Sequence, residues 1–169
     1  MKASCSSGIA ALIVLTLASP ALSAGIAPPD YSFIIVGGGN LVKNGNDGWS
    51  CLWNFKMTSG PSVGGTPPRA AGGTMPGGTA GVDTCTQMTV APSTYSITSS
   101  TATGGTGVFH GLTFRRNGVN FCSTTNNVPF QYLNNGDSPS DVFFDSAAIG
   151  TNCIFAAALK TAADLNVVP

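Results

Sequence analysis

The side chains able to do chemistry are few, and most are badly placed for it. Gly60-Pro61-Ser62-Val63-Gly64 has the G-x-S-x-G spacing of a nucleophile elbow, and Asp83 and His110, the chain's single histidine, follow in hydrolase order. An elbow serine is held out by a strand-to-helix turn, yet Ser62 runs into Gly64-Gly65-Thr66-Pro67-Pro68, a stretch suited to loops. His110 alternates with Val108 and Leu112, which points it towards the core or between sheets, satisfied by a hydrogen bond. Apart from scattered aspartates, no other general base of the usual kind is present.

Phe33-Ile34-Ile35-Val36-Gly37-Gly38-Gly39-Asn40-Leu41 resembles a strand entering a dinucleotide-binding turn. That fingerprint needs a third glycine where Val42 stands, then a helix, which Asn44-Gly45-Asn46-Asp47-Gly48 forbids, and an acid that the interval between Asp47 and Asp83 lacks. The expectation is a strand end and a flexible turn. Asp137, Asp141 and Asp145 are spaced unlike an EF-hand and read as turn and capping residues. The expected catalytic, cofactor-binding and metal residues are therefore none, and the chain is not expected to be an enzyme.

Cysteine usage fixes the compartment. One cation, Lys2, precedes the apolar run Ile9-Ala10-Ala11-Leu12-Ile13-Val14-Leu15-Thr16-Leu17-Ala18, then Pro20 and Ala21-Leu22-Ser23-Ala24, the layout of a secretory signal peptide over residues 1–24. Cleavage after Ser23 or after Ala24 fits, and Ala24 is the preferred site. The run is shorter than the roughly 20 residues of a membrane span, and no later segment approaches that length. Cys5 leaves with the signal. Cys51, Cys85, Cys122 and Cys153 remain, an even number without CxxC pairs, which argues for two disulfides and against zinc. Three pairings are open; the sequential one, Cys51 with Cys85 and Cys122 with Cys153, would staple neighbouring hairpins and is the one we expect. The mature protein is expected outside the cytosol, secreted or at the cell surface, with the periplasm also open.

Residues 25–169 amount to a single domain. Only 8% of the chain is charged, glutamate is absent and all seven acids are aspartates. No basic stripe exists to follow phosphates, which argues against nucleic acid as a partner. A surface of Ser, Thr, Asn, Gln and Gly leaves self-association unopposed by charge.

The elements that must position these residues are strands. Cys51, Trp53, Phe55 and Met57 share one face of a period-two segment, and Val108 to Phe114 runs through Asn117-Gly118 into Val119 to Cys122, the strongest short hairpin signal. Further strands are expected at Tyr31 to Val36, Thr86 to Val90, Thr94 to Ser99, Val128 to Leu133, Asp141 to Phe144, Cys153 to Ala158 and Leu165 to Val168, with turns at Asn44-Gly45 and Asn135-Gly136. Residues 59–82, rich in Gly and Pro, read as a long mobile loop outside the core, and Ala156 to Asp164 as the one place for a short helix. The fold class is all-β, an antiparallel β-sandwich or partly closed barrel. Phe143-Phe144 and Val108-Phe109 put large groups on opposite sheet faces, so one of each pair is expected to give the sheet an apolar contact surface.

Ile26-Ala27-Pro28-Pro29-Asp30-Tyr31-Ser32-Phe33, an early strand cysteine, the later Cys85, Cys122 and Cys153, the Gly/Ser/Thr-rich strands and the end Leu165-Asn166-Val167-Val168-Pro169 together resemble the small secreted bacterial activators of alkane oxidation. The insertion Ser59 to Val82 departs from that pattern. The resemblance implies an extracellular accessory protein that assists hydrocarbon use or surface attachment, with no catalytic residues. Two other readings are a soluble carrier with a small apolar ligand inside a barrel, and a pilus-like or adhesin-type structural subunit completed by a donor strand.

Overall fold

The computed structural model describes residues 24–81, 85–136, 138–161 and 165–169. Alternation of apolar and polar residues becomes eleven strands among them: β1 (Gly25–Ala27), β2 (Ser32–Lys43), β3 (Asp47–Ser59), β4 (Gly72–Gly81), β5 (Met88–Val90), β6 (Ser93–Thr101), β7 (Gly104–Arg116), β8 (Val119–Asn135), β9 (Ser138–Ile149), β10 (Cys153–Thr161) and β11 (Asn166–Val168). The pairs Asn44-Gly45 and Asn117-Gly118 take positive φ at both positions; the second is the two-residue hairpin turn of β7 into β8, while Asn44-Gly45-Asn46 makes a three-residue turn of β2 into β3.

Eight strands close into an antiparallel barrel in the order β3-β2-β10-β9-β8-β7-β6-β4, with β4 pairing back onto β3. Strand β5 lies between β4 and β7 beyond the start of β6, so the two short strands together fill one position. Inward positions meet in an aromatic centre: Trp53 lies 5.1 Å from Phe114 and 5.4 Å from Phe155, and Phe144 lies 5.0 Å from Phe155 and 5.8 Å from Phe109. All five are buried. Each such side chain contributes about 1.5–3 kcal/mol by burial, and edge-to-face contacts add to this.

The two ends are closed differently. At one end β1 pairs β11, placing Ile26, Leu165 and Val167 over the barrel mouth. Tyr132 and Ser140 donate to the Leu165 carbonyl at 2.6 and 2.7 Å and hold that ribbon. Burial, and the neighbouring Tyr132, push the Tyr95 hydroxyl well above the ordinary tyrosine range. At the other end Trp49 and Phe121 meet edge to face at 4.9 Å, with Lys43 over the Phe121 ring and Arg116 over Trp49. Both disulfides, Cys51–Cys85 and Cys122–Cys153, sit in this half, in the sequential pairing.

Four expectations need correction. Residues 59–82 are not a mobile loop throughout: β4 occupies Gly72–Gly81, and Met75 is wholly buried. Its glycines serve proximity, because a Cβ at Gly73 would strike the Thr58 carbonyl oxygen and one at Gly78 the Phe55 ring. The helix expected over Ala156 to Asp164 is strand β10 as far as Thr161, the remainder lying outside the described residues; pairing with both β2 and β9 overrides the helix propensity of alanine. Gly37 to Gly39 are no turn either. Strand β2 runs straight through them, Gly37 lying against the backbone of Ala158 and Leu159, and the Trp53 indole donates to the Gly39 carbonyl at 3.1 Å. Finally, His110 is exposed, because the β7 register shifts between His110 and Leu112, at Gly111 with φ 80°, so that Phe109 and Leu112 both face inward.

Candidate contact surface

A filled barrel leaves its walls as the place for function. The interior void, bordered by Phe33, Met57, Tyr95 and Phe130, measures about 20 Å³. One water fits such a space, whereas small-molecule sites run to about 300–1,000 Å³.

On the outside, strands β3, β2, β10 and β9 form a continuous face. Cross-strand register sets Leu52, Gly38, Ala158 and Phe143 in one row and Val42, Ile154 and Ala148 in another. Leu52 is 52% exposed, Ile154 47% and Ile34 36%, with Val36 and Phe143 half-buried on the same face. Gly38 has open space where a side chain would be, so an open groove of about 710 Å³ runs over it between Leu52 and Ala156. The groove is uncharged, with Gly38, Ala156 and Ala158 along its floor, Leu52 on one side and the hydrogen-bonded Asn40 and Ser50 on the other. On the same face Lys160, which bonds Asp141 at 2.8 Å, pairs across from Val36, and Lys56 pairs across from Ile34. The bonds from Lys160 and Asn135 hold the Asp141 carboxyl below the usual carboxylate range.

The expected exposed aromatics are mostly elsewhere. Phe109 and Phe144 face the core, while Val108 and Phe143 take the outward, half-buried places. On this face the exposed large apolar residues, Ile34, Leu52 and Ile154, are aliphatic and carried by β2, β3 and β10, while Tyr31, Val63, Val119 and Leu133 are exposed outside those three strands. Sequence reading missed Leu52, Ile34 and Ile154. The signal was present, since each is an apolar residue at the outward phase of a strand whose inward set is already filled.

A seam also opens in the wall. Strand β8 pairs β9 only from Gln131 to Asn135, so Val119–Phe130 and Phe144–Ile149 present edges to one another without ladder bonds. Both edges are blunted: Pro129 has no N–H, and Asp145 precedes Ser146, whose φ is 50° where the β9–β10 register slips. Cys122–Cys153 spans the lower end of this seam from β8 to β10.

The remaining chemical candidates do not converge. Ser62 sits in the exposed connection before β4, its hydroxyl accepting from Gly64 N–H at 3.1 Å. Asp83 and Asp137 lie outside the described residues, as do residues 1–23 of the expected signal. Asp141 is committed to Lys160 and Asn135, and no three metal-ligating side chains cluster among the described residues. His110 instead bonds Ser96 and Asn127. No helix among the described residues is long and apolar enough to cross a membrane. Family models, curated proteins and solved structures give no match to this chain.

Proposed function

We propose that this chain is a non-catalytic accessory protein that works outside the cytosol, at the cell surface or in a matrix, by contact of its β3-β2-β10-β9 face with apolar material or with further copies of itself. The reading agrees with the resemblance to activators of alkane oxidation. What carries it is the set of exposed aliphatic side chains Ile34, Leu52 and Ile154 on that face, beside the open groove over Gly38, on a chain whose interior is already full. An apolar row on an outer wall has no part in the core, so its physical use is contact. Low charge supports the same reading, because little repulsion opposes adsorption or assembly. The two disulfides suit an oxidising compartment.

The experiment is adsorption to alkane droplets, paired with sedimentation over a wide concentration range. Droplet binding or concentration-dependent assembly, lost when Leu52 and Ile154 are made lysine, is the expected result. A protein that stays monomeric and ignores the droplets rejects the reading. The carrier reading is weaker, since a ligand of useful size needs more than a void of about 20 Å³; native mass spectrometry of purified protein tests it through a co-purified lipid or alkane. The donor-strand reading is weaker too, because the exposed edges at the seam carry Pro129, Asp145 and a bulge.

A further inference from the structure

Three side chains on consecutive strands line up across the opposite wall: Ser96 on β6, His110 on β7 and Asn127 on β8. The Ser96 Oγ is 2.6 Å from His110 Nε2, and His110 Nδ1 is 3.0 Å from Asn127 Oδ1. An amide oxygen only accepts, so Nδ1 carries the proton and donates to it. Nε2 then holds the lone pair and accepts the Ser96 hydroxyl. This is the polarity of a nucleophile, its base and the group that orients the base. We propose that Ser96 is a base-activated nucleophile that captures an acyl group from activated esters.

The backbone builds the arrangement. Gly111 at φ 80° and the register shift beside it swing His110 outward, and Ser93 Oγ donates to the Gly111 carbonyl at 2.7 Å, fixing the distortion. Without that shift the histidine would continue the inward phase of Leu112. Strands β4, β6 and β8 contain no Asp, Lys or Arg, and the two arginines of β7 lie at its far end, so no carboxylate on these strands competes with Ser96 for the imidazole.

In the capture step Ser96 Oγ bonds to the acyl carbon while its proton passes to Nε2. The C–O bond to the leaving group breaks, and the imidazolium returns the proton to the departing oxygen. Ester goes in, acyl-Ser96 and alcohol come out, and no redox partner is needed. On an open wall the transient oxyanion faces water, and one preorganised donor is worth about 10²–10³ in rate elsewhere. The substrate class is therefore esters with good leaving groups, such as aryl esters, and the outcome is stoichiometric acylation. This goes beyond the contact function and is independent of it; either can fail alone.

The test incubates the mature, disulfide-bonded protein with p-nitrophenyl acetate and locates acetyl groups by intact mass and peptide mapping. Ser96 is expected to acylate about 100-fold faster than Ser50, an exposed serine that donates to Asn40 Oδ1 at 2.6 Å with no base beside it. His110→Gln abolishes the preference. Asn127 is a positioning residue: Asn127→Leu lowers the rate, and Asn127→Asp, whose carboxylate also accepts from Nδ1, restores it. His110 and Asn127 are exposed and Ser96 is half-buried on the outer wall, so these variants keep the fold, which circular dichroism verifies. Acetyl spread evenly over serines, a Ser96 rate unchanged in His110→Gln, nitrophenolate release undiminished in Ser96→Ala, or no acylation at all each overturns the proposal.

Discussion

The side-chain amide of Asn134 pairs with the backbone of Val167 as a strand neighbour would, donating from Nδ2 to the carbonyl at 2.8 Å and accepting the N–H on Oδ1 at 2.9 Å. One residue of β8 thereby fastens the β1–β11 ribbon over the barrel mouth. Replacing it by leucine leaves both Val167 groups without their partner, at about 1–3 kcal/mol per unsatisfied buried group. Asn134→Leu is expected to lower the melting temperature by several degrees. Hydrogen exchange at the ribbon amides, faster than in the parent while the barrel wall stays protected, is the accompanying local sign.

The two disulfides are expected to act on different parts of the wall. Each closes a loop of about 30 residues and contributes roughly 3–4 kcal/mol on the chain-entropy estimate. Cys122–Cys153 alone bridges the seam, above which Val128, Phe144 and Phe155 are covered by side-chain packing without ladder bonds. The double variant Cys122→Ser, Cys153→Ser should therefore bind a hydrophobic dye in native buffer, and Cys51→Ser, Cys85→Ser should bind less. Equal dye uptake by the two would contradict this account of the seam.

Three adjacent glycines should respond differently to the same substitution. A Cβ at Gly37 would collide with the Ala158 carbonyl oxygen, and one at Gly39 would press on Ala157 and Trp53, but one at Gly38 meets nothing. Gly37→Ala and Gly39→Ala are expected to destabilise by about 1–3 kcal/mol through overpacking. Gly38→Ala should stay within about 0.5 kcal/mol of the parent by urea denaturation, as surface changes do.

Acid should cost the protein one identifiable contribution. The folded carboxyl of Asp141 lies below its unfolded value because Lys160 and Asn135 bond its charged form. Its stabilisation is therefore complete above the unfolded aspartate range and is lost as pH falls through the lower, folded value. For a surface pair the size is about 0.2–1 kcal/mol. Asp141→Asn should reduce stability at neutral pH and not at pH 2, measured as the difference in urea midpoint between the two.

Much of the barrel was legible in local pattern. Period-two alternation located Cys51 to Met57 on β3, and Asn117-Gly118 fixed a hairpin because only certain residues accept positive φ at both turn positions. Alternation fails where the strand carries no large residues to alternate, as at Gly72–Gly81, and where small residues suit helix and sheet alike, as in Ala156-Ala157-Ala158. His110 was misplaced for a further reason. A bulge inverts the inside and outside of every residue beyond it, and the single glycine that permits the bulge does not announce one.

What the amino-acid sequence determined by itself was the class of material: an all-β chain of low charge, with four cysteines spread over residues 25–169 and aromatic residues enough to fill one core. Those properties are sums over residues or short-range periodicities, and they need no knowledge of neighbours distant in the chain. Only the tertiary structure decided that the sheet closes, that Leu52, Gly38 and Ala158 share one outward row, and that Ser96, His110 and Asn127 stand within hydrogen-bonding reach. Each of these depends on the register between strands, which is fixed by how side chains of many segments pack together inside the barrel. A shift of one residue in any pairing would turn the same row to the other face.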